Sequence, residues 1–163
     1  MPTLELLRPD HAGALLAFEL ANRAWFARSI PDRGDAYFAE FADRHADLLA
    51  EQASGDSWFH VILDPAGVLI GRINLVNRLD GDAELGYRVA ESATGRGVAT
   101  AAVAEVCRLA ARDYGLDTLT AAARPDNPAS LAVLARNGFT VTGEFLLAGR
   151  PALRHHRVLD QTG

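Results

Sequence analysis

The chain has 163 residues, 49% of them hydrophobic and 23% charged, which is the size and composition of one domain that buries a core without staples. Its formal net charge of -5, with both signs interspersed, lacks the basic stripe of a nucleic-acid-binding surface and weakly favours a small cationic or amine-bearing partner. The single cysteine, Cys107, excludes an internal disulfide or cysteine-rich zinc site; with no leader pattern and no apolar stretch long enough for a bilayer, a cytoplasmic protein with no membrane partner is expected.

Residues 4–8 alternate as a short strand. Residues 10–30 then place Ala12, Leu15, Leu16, Glu19, Leu20 and Trp25 at helical spacing, with Asp10 as N-cap. After the breaker at 31–35, residues 36–53 carry a second amphipathic stripe of Tyr37, Phe38, Phe41, His45, Leu48 and Leu49. Segments 57–64, 67–78 and 83–89 are rich in β-branched and aromatic residues and separated by turn signals at 64–67 and 80–82, so they predict an antiparallel meander. From Val98 to Tyr114 helical spacing returns, with Ala99, Ala102, Val103, Val106, Leu109 and Ala110 on one face and Gly115 as C-cap. A strand at 118–123, a helix at 128–136 closed by Asn137-Gly138, and strands at 139–147 and 153–160 complete the chain. The predicted order is β-α-α-β-β-β-α-β-α-β-β: a mixed α/β domain, residues 1–163, in which a strand-helix-strand crossover sits beside a meander.

The crossover opens with Gly95, Arg96, Gly97, Val98 and Ala99, between a strand and a helix whose first N–H groups have no partner within it. Such donors, at the positive end of the helix dipole, form an anion site, and Arg96 adds charge to it. An ordinary turn that needs glycine only for its conformation is the alternative. A triphosphate loop would require Gly-Lys-Ser/Thr, which Gly97-Val98-Ala99 does not supply, and a dinucleotide loop would want glycine or alanine where Thr100 stands.

Taken together, "TGRGVATAAV", preceded by "AELGYRV" and followed by "NPASLAVLARNGF", resembles the GNAT superfamily of acetyl-CoA-dependent N-acetyltransferases, in particular its RimJ/RimL branch of ribosomal-protein N-terminal acetyltransferases. The opening "LRPDHAGALLAFELANRAWF" is similar to that branch too, so the resemblance spans nearly the whole chain. It implies a mixed, mostly antiparallel sheet with a splayed central strand pair and helices on both faces. It also implies acetyl-CoA as cosubstrate; the scatter of His11, His45 and His60 along the chain predicts no metal site. The family's pyrophosphate loop, Gln/Arg-x-x-Gly-x-Gly/Ala, maps onto Thr94, Gly95, Arg96, Gly97, Val98 and Ala99; Thr94 departs from it, which weakens a side-chain contact but leaves the main-chain donors. Pantetheine would lie between the strand carrying Tyr87, Arg88 and Val89 and the strand at 119–123, its amides pairing with exposed backbone as an added strand would.

Acetyl transfer to an amine needs a deprotonated nucleophile, a polarised thioester carbonyl and a stabilised leaving thiolate. In the resemblance a glutamate at this place acts as base, directly or through a water, which makes Glu84 the candidate; against this, Leu85, Tyr87 and Val89 alternate as the apolar set and put Glu84 on the other face unless Gly86 forms a bulge. Backbone N–H groups near Val89 are candidates for the carbonyl. For the thiol, the position of the family's usual tyrosine holds Leu134; the resemblance to the RimJ/RimL branch in its Asn-x-x-Ser arrangement implies Ser130 as the substitute acid and Asn127 as a coenzyme contact. Asn127-Pro128 also reads as an N-cap followed by proline at the first helical position, with Ser130 only supporting that turn. Cys107 lies mid-helix without a base and reads as a packed thiol, and the adjacent His155 and His156 point to opposite faces of a strand and cannot ligate one metal. Trp25, Phe26, Phe38 and Phe41 read as core, though in the resemblance their helices also line the acceptor cleft.

The resulting expectation is a protein N-terminal α-amine acetyltransferase working by direct transfer in a ternary complex. Acetylation of a small amine (antibiotic, polyamine or amino acid) and a non-catalytic acetyl-CoA sensor are the alternatives. A homodimer is left open, since nothing in the sequence fixes the oligomeric state.

Overall fold

The computed structural model describes residues 1–160. One seven-stranded sheet organises them: β1 (Thr3–Leu6), β2 (Trp58–Leu63), β3 (Leu69–Leu79), β4 (Asp82–Val89), β5 (Thr118–Ala123), β6 (Thr140–Leu147) and β7 (Arg150–Val158), in the order β1-β2-β3-β4-β5-β7-β6. Every neighbouring pair is antiparallel except β4 and β5, the pair joined by the crossover helix. The predicted meander and crossover are therefore both present. Among the described residues no helix is long and apolar enough to cross a membrane.

Strand alternation sends side chains into two separate cores. Ile73 and Leu75 of β3, Ala83 and Leu85 of β4 and Leu119 of β5 pack against α5 (Val98–Arg112) and α6 (Pro128–Arg136). On the opposite face Phe59 and Val61 of β2 meet α1 (Ala12–Ala21), α2 (Arg23–Ala27), α3 (Asp35–Ala39) and α4 (Phe41–Ala53) through Leu15, Phe18, Phe26, Tyr37 and Phe41. In α5 the buried residues Ala102, Val103, Val106, Cys107 and Ala110 recur every three to four positions, which fixes the face it presents. Gly115, at φ 66, turns the chain out of this helix, and Leu116 N–H reaches back to Ala110 O at 3.0 Å.

Three local expectations are corrected. Each of the two predicted N-terminal helices is broken in two. Asn22, at φ -108, ends α1 because its amide is committed elsewhere, donating to Phe18 O at 2.9 Å and accepting from Glu91 N–H at 3.0 Å; Glu40, at φ -102, separates α3 from α4. Asp10 is not a helix cap. A 3-10 turn at Pro9–His11 precedes α1, His11 Nδ1 accepts from Arg8 N–H at 3.0 Å, and the Asp10 carboxylate turns back to the Arg8 guanidinium.

His60 gives the fold a pH dependence. Its ring is 2% exposed, Nδ1 donates to Ile73 O at 2.9 Å and Nε2 accepts from Tyr114 Oη at 2.6 Å. Burial lowers its pKa below 6.5, and burial likewise raises Tyr114 to about 12, so its hydroxyl remains a donor. Because the unfolded chain takes up the proton that native His60 refuses, the contribution of His60 to stability is full above pH about 6.5 and declines as the pH falls below it. Thermal melts of the wild type and of His60→Gln across this range check this: the variant is expected to lose part of the slope.

Candidate active site

The parallel pairing of β4 with β5 runs from Asp82↔Thr118 to Leu85↔Ala121 and stops there. Both strands continue, but each is held by its outer neighbour, β4 by β3 as far as Gly71↔Val89 and β5 by β7 as far as Ala123↔Leu153. The closed end is locked by Asp82, whose carboxylate accepts from Thr118 Oγ1 at 2.8 Å and Thr120 Oγ1 at 3.2 Å. Beyond Leu85 a gap opens in the middle of the sheet. Ala90 N–H donates to Ile70 O on β3, and because successive amides along a strand point to opposite edges, the N–H groups of Val89 and Tyr87 face the gap. These amides are the ones an added extended chain would pair with.

At the end of β4 a 3-10 turn at Glu91–Ala93 leads into Thr94, Gly95, Arg96 and Gly97, and α5 starts at Val98. Gly95 and Gly97 both sit at φ 75, a conformation that favours glycine, and a Cβ on either would meet only open space. No side chain caps α5, so the N–H groups of Val98, Ala99 and Thr100 point outward from its N-terminus. Thr94 Oγ1 donates to Glu91 O at 2.7 Å, so this hydroxyl is spent inside the turn; Arg96 is exposed. Uncapped donors and open space at the end of the gap fit a diphosphate followed by an extended amide chain, as in coenzyme A.

On the α5/α6 side of the gap, Tyr87 Oη lies 3.5 Å from Ser130 Oγ. Burial raises the Tyr87 pKa, so its hydroxyl stays protonated and acts as donor. Asn127 Oδ1 accepts the Ser130 N–H at 3.2 Å, which makes Asn127 the N-cap of α6 with Pro128 behind it. The cap therefore belongs to Asn127, and Ser130 contributes its backbone amide while its hydroxyl faces Tyr87. Leu134, at the position of the family's usual tyrosine, is 1% exposed in the core. Cys107 is also buried within α5, and burial pushes its thiol pKa up, which suits packing rather than nucleophilic attack.

The opposite face of the gap is covered by α1–α4. The β3/β4 register is unbroken through Asn74↔Gly86, Leu75↔Leu85 and Val76↔Glu84, its irregularity falling later, between Val76 and Leu79. The bulge at Gly86 is therefore absent, and Glu84, Gly86 and Arg88 share the face turned towards α1 and α3. Glu84 is exposed there, its carboxylate accepting from Asn77 Nδ2 at 3.0 Å, with Asn77 itself in the left-handed region at φ 55. Further along, Glu19 of α1, 1% exposed, accepts from Arg72 at 3.0 Å and Arg88 at 2.8 Å, and Arg33 stands 3.9 Å away. Arg72 also donates to Tyr37 Oη at 3.3 Å, and burial lowers the Arg88 pKa against the pull of Glu19.

The sequence reading missed this cluster. Its one signal is Glu19 itself, a carboxylate in an apolar helical stripe, which needs a buried cation from elsewhere in the chain. Arg124, at the end of β5, donates to Ser29 O at 3.1 Å, tying the α2–α3 loop to the far side of the gap. Trp25 and Phe38 are half-buried and Phe26 and Phe41 buried in the core under α1–α4. Among the described residues no three His, Cys, Asp or Glu side chains gather as a metal site; His155 is buried and its neighbour His156 half-buried on β7.

Comparison with known proteins agrees with this geometry. The acetyltransferase (GNAT) domain family matches residues 3–140. Among solved structures, Mycobacterium smegmatis RimJ in complex with CoA-disulfide is 28% identical, with a TM-score of 0.86 over 96% of this chain and 81% of that one. The ribosomal-protein-S5-alanine acetyltransferase from Vibrio fischeri is 22% identical, with a TM-score of 0.88 over 98% and 93%. A spermidine N-acetyltransferase SpeG chimera from Vibrio cholerae and hSSAT is 16% identical, with a TM-score of 0.77 over 96% and 95%. No curated protein matches. With its family match over most of its length and a sheet that opens beside an uncapped helix, the chain belongs to the GNAT acetyltransferases and is an acetyl-CoA-dependent N-acetyltransferase.

Proposed function

We propose that this enzyme acetylates a protein N-terminal α-amine by direct transfer in a ternary complex. The observation that supports this best is the gap beyond Leu85, lined on one face by Tyr87 and Ser130 and on the other by Gly86 and the helices α1–α4. Two substrates entering from opposite faces can meet there without an acyl-enzyme. The buried Cys107 offers no alternative nucleophile. Likeness to RimJ, and to an enzyme named for a ribosomal-protein alanine, favours a peptide amine over a small one. A protein acceptor of that kind goes with a cytoplasmic location.

Acetyl-CoA brings the acetyl group as a thioester. In this reading Gly95, Arg96, Gly97, Val98 and Ala99 hold its diphosphate through main-chain N–H groups, while Thr94 gives both its N–H, at 3.2 Å, and its hydroxyl to Glu91 O; the Asn127 Nδ2, left over from capping, contacts the coenzyme. The Tyr87 and Val89 amides pair with its extended arm and steady the thioester carbonyl. Glu84, on the acceptor face, takes the proton from the incoming ammonium through a water, and Ser130, receiving a hydrogen bond from Tyr87, gives one to the departing sulfur.

Glu84→Gln is expected to lower kcat and change the acidic limb of its pH profile, with acetyl-CoA affinity kept, as calorimetry and initial rates would read. Ser130→Ala keeps the backbone amide bound by Asn127, so its melting temperature should hold while kcat falls by about 10- to 100-fold. A full-rate Ser130→Ala would leave the thiolate to depart unassisted. The acceptor assignment is tested by mass spectrometry of a mixed incubation containing N-terminal peptides, a lysine side-chain peptide and spermidine. Acetyl on the peptide α-amine is expected; acetyl only on spermidine would replace this reading with the small-amine one.

A further inference from the structure

Next to the gap, on the acceptor face, lies an open cavity of about 290 Å³ between β3 and the helices α3 and α4. Its floor is Asn74, which pairs directly with Gly86, the first β4 residue beyond the β4/β5 pairing. Partners in such a register are about 5 Å apart, and a Cβ on Gly86 would meet nothing within 4 Å, so no side chain at Gly86 separates cavity from gap.

The cavity's polar lining is unusual in two ways. First, it is cationic on a chain of net charge -5: Arg33, Arg44 and Arg72 line it against a single carboxylate, Asp47. Arg72 is neutralised behind the wall by Glu19, which Arg33 also approaches at 3.9 Å; Arg33 and Arg44 are half-exposed and lie over the Tyr37 ring, 4.7 and 5.5 Å from its centroid. Arg44 has only the exposed Glu40 at 3.7 Å on its own helix turn. Second, two lining residues carry buried polar atoms without a partner, Asn74 Oδ1 and His45 Nδ1. His45 is 5% exposed, and its Nε2 must donate to Arg8 O at 2.9 Å, which in the neutral ring leaves Nδ1 as an acceptor. Buried acceptors left unpaired cost free energy that an occupant's N–H groups would recover.

We infer that this cavity is a specificity subsite for an amine acceptor that carries an anionic group close to its amine. The inference rests on the acetyl transfer proposed above and adds the acceptor's charge. The acceptor amine sits at Gly86, Asn74 receives an N–H just behind it, and the anion reaches Arg33 and Arg44. A polyamine would place its remaining cations against the same guanidinium groups. The anionic acceptor can be a protein N-terminus with an acidic residue in its first few positions, or a free amino acid such as glutamate.

The test compares initial rates of acetyl-CoA turnover with two peptides that differ only in glutamate or lysine at their second and third residues, together with free glutamate and spermidine. The glutamate peptide is expected to exceed the lysine peptide by about 10-fold or more in kcat/KM, with spermidine lowest. In Arg44→Glu, whose side chain is half-exposed and pairs with Glu40 rather than with Glu19, KM for the glutamate peptide should rise and the preference collapse, while the melting temperature is kept. Free glutamate outpacing both peptides would support the anionic subsite and assign it to a small acceptor. Equal rates with both peptides, or a preference unchanged in Arg44→Glu, would overturn this inference alone. Acetyl-CoA binding without turnover of any acceptor would overturn it together with the function it rests on.

Discussion

Glu19→Leu is expected to be the most destabilising single change on the acceptor side of the sheet, by about 3–5 kcal/mol, because it leaves Arg72 and Arg88 buried without a counter-charge. For a chain of this size that corresponds to a fall in melting temperature on the order of 10 °C. The cost comes from the orphaned cations rather than from the lost leucine-for-glutamate volume, so Glu19→Leu combined with Arg72→Met should recover part of it. Urea denaturation of the two variants separates these terms. A loss below about 1 kcal/mol in Glu19→Leu would mean that Tyr37 and solvent already satisfy the guanidinium groups.

Gly97→Asp is expected to weaken acetyl-CoA binding by at least about 100-fold, since a carboxylate at the N-terminus of α5 would stand against the diphosphate at a cost of several kcal/mol. Aspartate is among the side chains that tolerate the left-handed conformation found at Gly97, and an acidic residue at a helix N-cap is favourable, so the fold should survive. Gly97→Asn supplies the same shape without charge and should retain much of the affinity. Arg96→Ala should cost less than Gly97→Asp because the Val98, Ala99 and Thr100 amides remain. Calorimetric titration with acetyl-CoA reads all three, and unchanged affinity in a folded Gly97→Asp would place the diphosphate elsewhere.

The parts of the fold carried by local pattern were legible in the sequence. The meander followed from β-branched runs between turn signals, α5 from the spacing of Ala102, Val103, Val106 and Ala110, and the Asn127-Pro128 start of α6 from its cap residues. The splay of β4 from β5 came only through family resemblance. It depends on where Asp82 anchors two threonines of a strand 36 and 38 residues away, and on β3 and β7 holding the outer edges. The breaks at Asn22 and Glu40 escaped notice because helical spacing continues across them, while the Asn22 amide is drawn to Glu91, 69 residues on. The same limit hid the buried pairing of Arg72 and Arg88, which arises only when α1 brings Glu19 between them. Ser130 illustrates the finer limit: sequence located it at the first turn of α6, but only the structure separates its amide, bound by Asn127, from its hydroxyl facing Tyr87.

The central claim is that acetyl passes directly from acetyl-CoA to an amine where β4 and β5 part. The most direct measurement is an initial-rate matrix of coenzyme A thiol release, varying acetyl-CoA and an N-terminal peptide together. Direct transfer predicts release only when both are present and reciprocal plots that intersect, the pattern of a ternary complex. Parallel plots with a burst of thiol before the acceptor is added would contradict it and require an acetylated side chain, while bound acetyl-CoA with no thiol released by any acceptor would make the chain a sensor of acetyl-CoA rather than an enzyme.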